Sequence, residues 1–456
     1  MTIGQSATQG RQQDSIASSV TPGEAREKIP WLLAFFCLLI PALPSFVVLA
    51  GPLKSNGSPA RMIAVLFFGL SVLGFILVRR TATTRTLAPG IVIMLLFFLL
   101  ELTIYGTGLT HVDDALIEAG KTRGLIVIVA YSGVALYVMT RIKTTRDRSI
   151  LLGCLTIGLI FACVVGLLQT ADVDIRYVLQ PPGFIVNTDE LSYAERHGIR
   201  RVFGTSAHPI EFSVLAAVAV VLSIHFARYA NSRRVRRLSA LACGVALLAL
   251  PAAVSRSGMV ALGAALLVYM WSFKVRQIAI AVVAGALAVL AYLGAFPASA
   301  SALWQQTVNS ESDPSILART VDYAVVGDTF RAHPMFGLGF GSTAPSEYGF
   351  LDNEWLQQIV QGGLVGLLAF SILAVGGIFG ITAALRSAST ARERDQAYAV
   401  GAIFVAVLTS SVTMDLFSFA QATFIMFVSF ALLWSQFGVA FTKEGDSTPT
   451  VHHCVE

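Results

Sequence analysis

The stretch GGLVGLLAFSILAVGGIFGITAAL, from Gly362 to Leu385, contains no charged residue. A helix of about 20 apolar residues crosses the hydrocarbon core of a bilayer, so this run predicts a membrane-spanning helix. Similar runs recur along the chain, which is 55% hydrophobic and only 13% charged, whereas a soluble domain carries roughly a quarter charged residues. The mean hydropathy is +0.71. These values indicate an integral membrane protein with many passes.

The apolar runs predict an all-α fold of about 12 transmembrane helices. They lie near residues 31–50, 61–78, 88–105, 124–140, 149–169, 209–227, 237–252, 257–273, 277–295, 355–385, 397–412 and 418–440. We expect one transmembrane domain over residues 29–441. Residues 1–28 are polar and lack an apolar core, which predicts a disordered cytosolic tail and not a cleaved signal peptide. Residues 442–456 are expected to form a second cytosolic tail.

Arginine and lysine residues in the connections predict the orientation in the membrane. They cluster in alternate connections, at 79–85, 141–148, 228–237, 274–276 and 386–394. The positive-inside rule assigns these connections to the cytoplasm, together with both termini. The two longest connections, about 171–208 and 296–353, then face the periplasm or the cell exterior. We expect the second to contain an amphipathic helix that begins at Asp313–Pro314 and ends near His333.

Arginines in or beside the outer connections mark the candidate site. The candidates are Arg200 and Arg201 before the sixth helix, Arg256 at the start of the eighth, and Arg319 and Arg331 around the amphipathic helix. A single arginine at the membrane boundary often only reaches toward lipid headgroups, although ionisable residues near the membrane core are functional candidates. The guanidinium group stays charged and donates two parallel hydrogen bonds, so several outer arginines favour a phosphate-binding site.

The segment RAHPMFGLGFG, from Arg331 to Gly341, connects His333 to a glycine-rich turn. Gly337, Gly339 and Gly341 allow a tight turn and a close approach of the backbone to another element or a ligand. The spacing is not that of a dinucleotide-binding loop. For each glycine taken alone, a simple turn between two helices is an equal alternative.

Four polar residues beside these segments complete the candidate set: His208, Glu211, Asp352 and Asn353. Asp352 or Asn353 is expected to cap the tenth helix. Two external acidic pairs, Asp113–Asp114 and Asp172–Asp174, offer oxygen ligands for a divalent cation, but such pairs are common on solvated loops. The five cysteines show no spacing typical of disulfides or zinc sites. No metal or other cofactor is expected.

Four motifs resemble those of the O-antigen ligase and polymerase family of bacterial membrane proteins. They are RRVFGTSAHPIEF (200–212), VSRSG (254–258), ARTVDYAVVGDTFRAHPMFGLGFG (318–341) and DNEWLQQIVQGGLVGLLAF (352–370). The family often has a histidine where this chain has Asp352, so no role of that histidine is transferred. The resemblance implies that Arg201, or its neighbour Arg200, and Arg256 bind a diphosphate and that His333 is the essential histidine.

The resemblance further implies an all-helical, metal-independent glycosyltransferase at the outer face of the cytoplasmic membrane. Its donor would be a glycan on an undecaprenyl diphosphate carrier, and its acceptor a hydroxyl of a glycan, a lipid or a protein. We expect inversion at the anomeric carbon. A polymerase, a ligase to a lipid core and a ligase to a protein all remain open.

A transporter is the main alternative, for example a lipid-linked glycan flippase, because about 12 spans with both ends inside also fit a carrier. A carrier is expected to show polar residues and broken helices at mid-membrane. Here the polar clusters lie at the outer boundary, which favours an enzyme. Membrane lipids are the expected surroundings. Most basic residues fall in short loops and give no indication of nucleic-acid binding.

Overall fold

The computed structural model of the protein describes residues 29–51, 57–77, 88–110, 115–173, 175–187, 195–196, 199–295, 297, 301, 314–343 and 351–437. The two predicted tails, 1–28 and 442–456, lie outside these residues. So do Asp113, Asp114, Asp174 and Asp313. The described residues form a bundle of α-helices with four very short strands.

Thirteen α-helices occur in the described part of the chain. In order, they are α1 Trp31–Ala42, α2 Pro59–Leu77, α3 Pro89–Gly108, α4 Ala115–Arg141, α5 Thr145–Thr170, α6 Pro209–Tyr229, α7 Arg233–Ala252, α8 Arg256–Tyr269, α9 Val275–Ala295, α10 Pro314–Ala332, α11 Glu354–Ser387, α12 Ala391–Ser410 and α13 Ala420–Trp434. Eight of the described helices are long and apolar enough to cross a membrane: α2 to α7, α11 and α13. Several helices suited to cross a membrane are thus confirmed, whereas the count of 12 stays a prediction.

A helix also lies in the second long connection, where one was predicted. Helix α10 begins at Pro314 and ends at Ala332, one residue before His333. Proline suits the first turn of a helix because its missing N–H group would have no partner there. The Val326 side chain of α10 is buried and packs with Leu351 and Val360. This contact fixes the last turns of α10 against the start of α11.

Contacts between connections define one end of the bundle, which we call the basic end. Thr145 Oγ1 donates to Glu393 Oε1 (2.9 Å), and Arg392 donates to Asn231 Oδ1 (2.8 Å). Arg228 donates to Ser272 Oγ (2.8 Å). These bonds gather four of the five predicted basic connections at one end. The fifth, 79–85, lies outside the described residues.

The opposite end, which we call the elbow end, holds the other connections as far as the structure describes them. Strand β1 Val47–Leu49 pairs antiparallel with β2 Phe184–Val186, so that Val47 lies opposite Val186. Strands β3 Glu195–Arg196 and β4 Ile199–Arg200 form a second small pair. The strands add to the predicted all-α fold, because backbone groups that leave a helix need new partners. The β1–β2 pair ties the connection after α1 to the connection after α5, whereas β3 and β4 pair within the latter.

Helices α6 and α13 lie at the centre of the bundle. In an apolar 18-residue segment of each helix, 78% of the residues of α6 and 89% of those of α13 are buried. The corresponding share is 22% in α2 and in α7. A helix that is apolar on all sides belongs in the interior. Both central helices begin at the elbow end. Their starts therefore support the segments that carry the candidate residues.

Candidate active site

Helix α11 is broken at Gly363, whose backbone has φ 57° and ψ −140°. In a continuous helix, the amides of Leu364 and Val365 would donate to the carbonyls of Val360 and Gln361. The break separates these groups and leaves two amides and two carbonyls without their helical partners. In a membrane helix such groups must find new partners inside the protein.

Residues 333–343, which we call the elbow, supply the partners of all four groups. The two amides donate to the carbonyls of Pro334 (2.9 Å) and Met335 (3.1 Å). The two carbonyls accept from the amides of Leu338 (3.0 Å) and Gly339 (2.8 Å). The elbow and the break therefore depend on each other, because each supplies hydrogen-bond partners that the other needs.

All three elbow glycines adopt a left-handed backbone. The φ angle is 59° at Gly337, 98° at Gly339 and 79° at Gly341, a region that side chains with a Cβ disfavour. A Cβ on Gly339 would also collide with Gly108 at the end of α3, and one on Gly341 with the carbonyl of Gly120 in α4. The glycines thus serve both the turn and a close backbone approach.

His333 begins the elbow directly after α10. Its amide donates to Thr329 O (2.9 Å), and its carbonyl accepts from the Gly337 amide (3.2 Å), so the backbone of the residue is fixed on both sides. The side chain is half-buried. The structure thus holds a titratable ring at the boundary between the elbow and solvent.

Arg331 and Arg319 are the two other predicted cations of this segment. Arg331 forms a surface ion pair with Asp328 (2.7 Å), in which the two side chains are 80% and 76% exposed. Exposed pairs of this kind contribute little to stability. The side chain of Arg319 lies outside the described part of the structure. Nothing in the geometry brings Arg331 toward the elbow.

Asn353, one of the two residues predicted to cap α11, forms the cap. Its Oδ1 accepts from the amides of Trp355 (2.9 Å) and Leu356 (3.4 Å). Asp352, the other alternative, is half-buried beside it. The cap sets the starting point of the helix that the elbow completes.

The predicted arginines 201 and 256 are linked through one turn. Arg201 is buried, and its Nε donates to Ala253 O (3.0 Å). Arg256 follows three residues later as the first residue of α8. Between them Val254 has φ 47°, a strained backbone for a β-branched residue, and such strain often marks functional sites. The side chain of Arg200 is not among those described.

His208 and Glu211 form helix caps, which the sequence did not predict. His208 Nδ1 accepts from the Ile210 amide (3.1 Å) at the start of α6. Glu211 is buried, and its Oε1 accepts from the amides of Gln421 (2.8 Å) and Ala422 (3.1 Å). A carboxylate is favourable at the positive end of a helix. Both residues therefore fix the starts of the two central helices.

Loop 411–419 lies between the elbow and the arginine-bearing segments. The Phe417 ring is 6.2 Å from the Phe340 ring of the elbow. The Phe419 ring is 5.7 Å from the His208 ring. These contacts make the loop the described connection between the two halves of the candidate site.

The same loop carries Asp415, which the sequence analysis did not single out. Its Oδ2 accepts from Ser418 Oγ (2.5 Å) and from Gln357 Nε2 (3.2 Å). Burial raises the pKa of Asp415, and the hydrogen bonds to Ser418, Glu354 and Gln357 oppose that shift. A lone carboxylate between two apolar helices was the signal available in the sequence.

Lys121 is a second residue that the sequence analysis missed. Helix α4 begins nine residues before the predicted start at 124, which places Lys121 inside the helix. Its side chain is buried, and Nζ donates to the carbonyl of Gly108 beneath the elbow. A cation at the carboxyl end of a helix is favourable. Lys121 thus ties α4 to α3 where the elbow passes.

Comparison with known proteins places part of this site in a family. Residues 241–371 match the sequence model of the family described as O-Antigen ligase. The matched region holds Arg256, His333, the elbow and the break at Gly363, whereas Arg201 and loop 411–419 lie outside it. No curated protein matches the chain. Over this part of its sequence, the chain thus matches the O-antigen ligase family, in agreement with the motifs.

Proposed function

We propose that the protein transfers a glycan from an undecaprenyl diphosphate carrier to an acceptor hydroxyl at the outer face of the cytoplasmic membrane. The observation that carries the proposal is the elbow. Within the matched domain it holds His333 at the same end of the bundle as the arginine turn. The acceptor is a glycan, a lipid or a protein hydroxyl.

Arg201 and Arg256 would bind the diphosphate of the donor. A guanidinium group forms two parallel hydrogen bonds with phosphate oxygens. The bond from Arg201 Nε to Ala253 O orients one guanidinium toward the turn that begins α8. Positive charge fixed in advance stabilises the diphosphate as it leaves. In this mechanism the arginines provide the charge that a divalent cation provides in other transferases.

His333 would accept the proton of the acceptor hydroxyl, because a histidine side chain can act as a general base. The acceptor oxygen then forms a bond to the anomeric carbon while the bond from that carbon to the phosphate oxygen breaks. The electron pair of the broken bond leaves with the diphosphate. Attack from the face opposite the diphosphate inverts the anomeric centre.

The proposed orientation follows from the charge of the two ends. Four basic connections meet at the basic end, and basic connections remain in the cytoplasm. The elbow end then faces the periplasm or the cell exterior. As a test, Met335→Cys and Val235→Cys, each in a background without native cysteines, are treated with an impermeant thiol reagent in whole cells. Labelling of the first alone supports the orientation, and labelling of the second alone reverses it.

The broken helix α11 is the observation that favours a carrier, since carriers use broken membrane helices at their binding sites. In carriers the freed backbone groups line a cavity. Here the elbow occupies all four groups freed at Gly363. The break therefore positions a loop, which agrees better with an enzyme.

Purified protein in vesicles tests the two functions directly. With a diphosphate-linked glycan, a hydroxyl acceptor and a chelator, a transferase forms a glycosidic product without nucleotide. Movement of the donor across the vesicle membrane without product would establish a carrier. Product that forms only after Mg²⁺ or Mn²⁺ is returned would contradict metal independence.

A further inference from the structure

Two glutamine side chains lie one turn apart at the start of α11. Gln357 is buried and Gln361 is half-buried, although polar side chains inside a membrane helix are costly unless they find partners. A spacing of four residues places both amides on one face. The hydrogen bonds of the two side chains connect this face of α11 to the elbow and to loop 411–419.

Gln361 holds three alternate residues of the elbow. Its carbonyl accepts from the Gly339 amide (2.8 Å), and its Oε1 accepts from the Gly341 amide (3.0 Å). Its Nε2 donates to Thr343 Oγ1 (2.8 Å). The break at Gly363 makes the first bond available, because it frees that carbonyl from the helix. One residue thus fixes the far half of the elbow.

The side-chain amide of Gln361 also begins a chain of hydrogen bonds toward loop 411–419. Gln361 Nε2 donates its second hydrogen to Gln357 Oε1 (2.9 Å), and Gln357 Nε2 donates to Asp415 Oδ2 (3.2 Å). From Gly341 onward every donor points toward the carboxylate. Hydrogen bonds aligned in this way polarise and strengthen one another.

We infer that Gln361 and Gln357 form a relay that couples the position of the elbow to the charge of Asp415. The relay rests on the proposed function only for its effect on catalysis. Gln361 and Gln357 are positioning residues, since they act through the elbow and the loop. An ionised Asp415 accepts strongly from Gln357 and keeps the relay tight, whereas a protonated one loosens it.

The relay predicts a particular pH dependence. The described titratable group that faces Asp415 is Glu354 at the start of α11, and the other described partners are Ser418 and Gln357. Gln357→Met cuts the relay between Asp415 and the elbow, so protonation of the carboxylate can no longer displace the elbow. The part of the acidic limb of the pH–rate profile that comes from Asp415 should then disappear.

Three variants separate this relay from ordinary packing. Gln361→Met is expected to lower kcat about tenfold, as for a displaced catalytic loop, with the KM for donor nearly unchanged. Gln357→Met should remove the part of the acidic limb that comes from Asp415. Gln396→Met is the matched control, because Gln396 is an equally buried amide at the basic end. It should leave both properties as in the wild type. An acidic limb that is the same in Gln357→Met as in the wild type, or an equal change in the control, overturns the relay.

Hydrogen exchange of the wild-type protein tests the relay independently of activity. The protection factor of the Gly341 amide should fall as the pH is lowered through the titration of Asp415, and Gln357→Met should remove this dependence. Protection that is constant with pH contradicts the relay, whether or not transfer is observed. Absence of transfer together with the predicted exchange pattern contradicts the proposed function alone.

Discussion

Gly339 lies where the elbow passes closest to α3. With φ 98° and the Gly108 backbone in the path of any Cβ, it admits no side chain without movement. We expect Gly339→Ala to lower the free energy of unfolding by about 2 kcal/mol or more. Thermal unfolding in detergent measures this. Gly327→Ala in α10 is the control, since nothing lies within 4 Å of its Cβ position, and an equal loss there would show that the elbow is not special.

Arg256 is the predicted diphosphate ligand inside the matched domain. Lysine keeps the charge at this position but lacks the planar fork of donors. We expect Arg256→Lys to raise the KM for donor at least about tenfold while the protein remains folded, because one bidentate phosphate contact is lost. Steady-state kinetics in vesicles measure the effect. A KM unchanged from the wild type would remove Arg256 from donor binding.

At single residues, the sequence predicted the features that depend on local rules. The start of α10 at Pro314 and the cap of α11 at Asn353 depend on neighbouring residues only. The caps formed by His208 and Glu211 were missed. Glu211 bonds to residues 210 or more positions away, and no local pattern indicates such a partner.

The central element is the pair of elbow and break. A Cβ at Gly363 would lie 2.5 Å from Pro334 O, and the residue has φ 57°. We expect Gly363→Ala to separate the elbow from α11 and to speed hydrogen exchange at Leu364 and Val365, because their amides lose the elbow carbonyls. Gly74→Ala in α2, whose Cβ position is open, should leave exchange at these amides unchanged. Unchanged exchange in Gly363→Ala would contradict the pairing.

The sequence predicted a helix over 355–385 but not its break. The apolar run is long enough for one crossing and says nothing about the path of the backbone at Gly362–Gly363. The partners of the freed groups come from residues 334–339, on the far side of the cap. A hydrophobic pattern does not indicate hydrogen bonds between distant segments. The sequence therefore predicted the helix but not its break.

In the whole molecule, Asp395 ties three helices together at the basic end. Its carboxylate accepts from His225 Nδ1 (2.6 Å), Tyr269 OH (2.9 Å) and the Arg228 guanidinium. We expect Asp395→Asn to lower the free energy of unfolding by about 3–5 kcal/mol, since it leaves Arg228 without a buried counter-charge. Thermal unfolding measures the loss. Asp328→Asn breaks a surface ion pair and should not change thermal unfolding measurably. Equal losses of stability in the two variants would contradict the special role of the buried Asp395.

His333 carries the most direct test of the proposed function. Donor binding and turnover of His333→Ala are measured on the same preparation, with membrane expression and unfolding temperature matched to the wild type. We expect donor affinity close to the wild-type value and turnover lower by roughly 100-fold or more, as for the loss of a general base. Near-normal turnover in a well-folded His333→Ala protein would contradict it and leave the elbow as architecture alone.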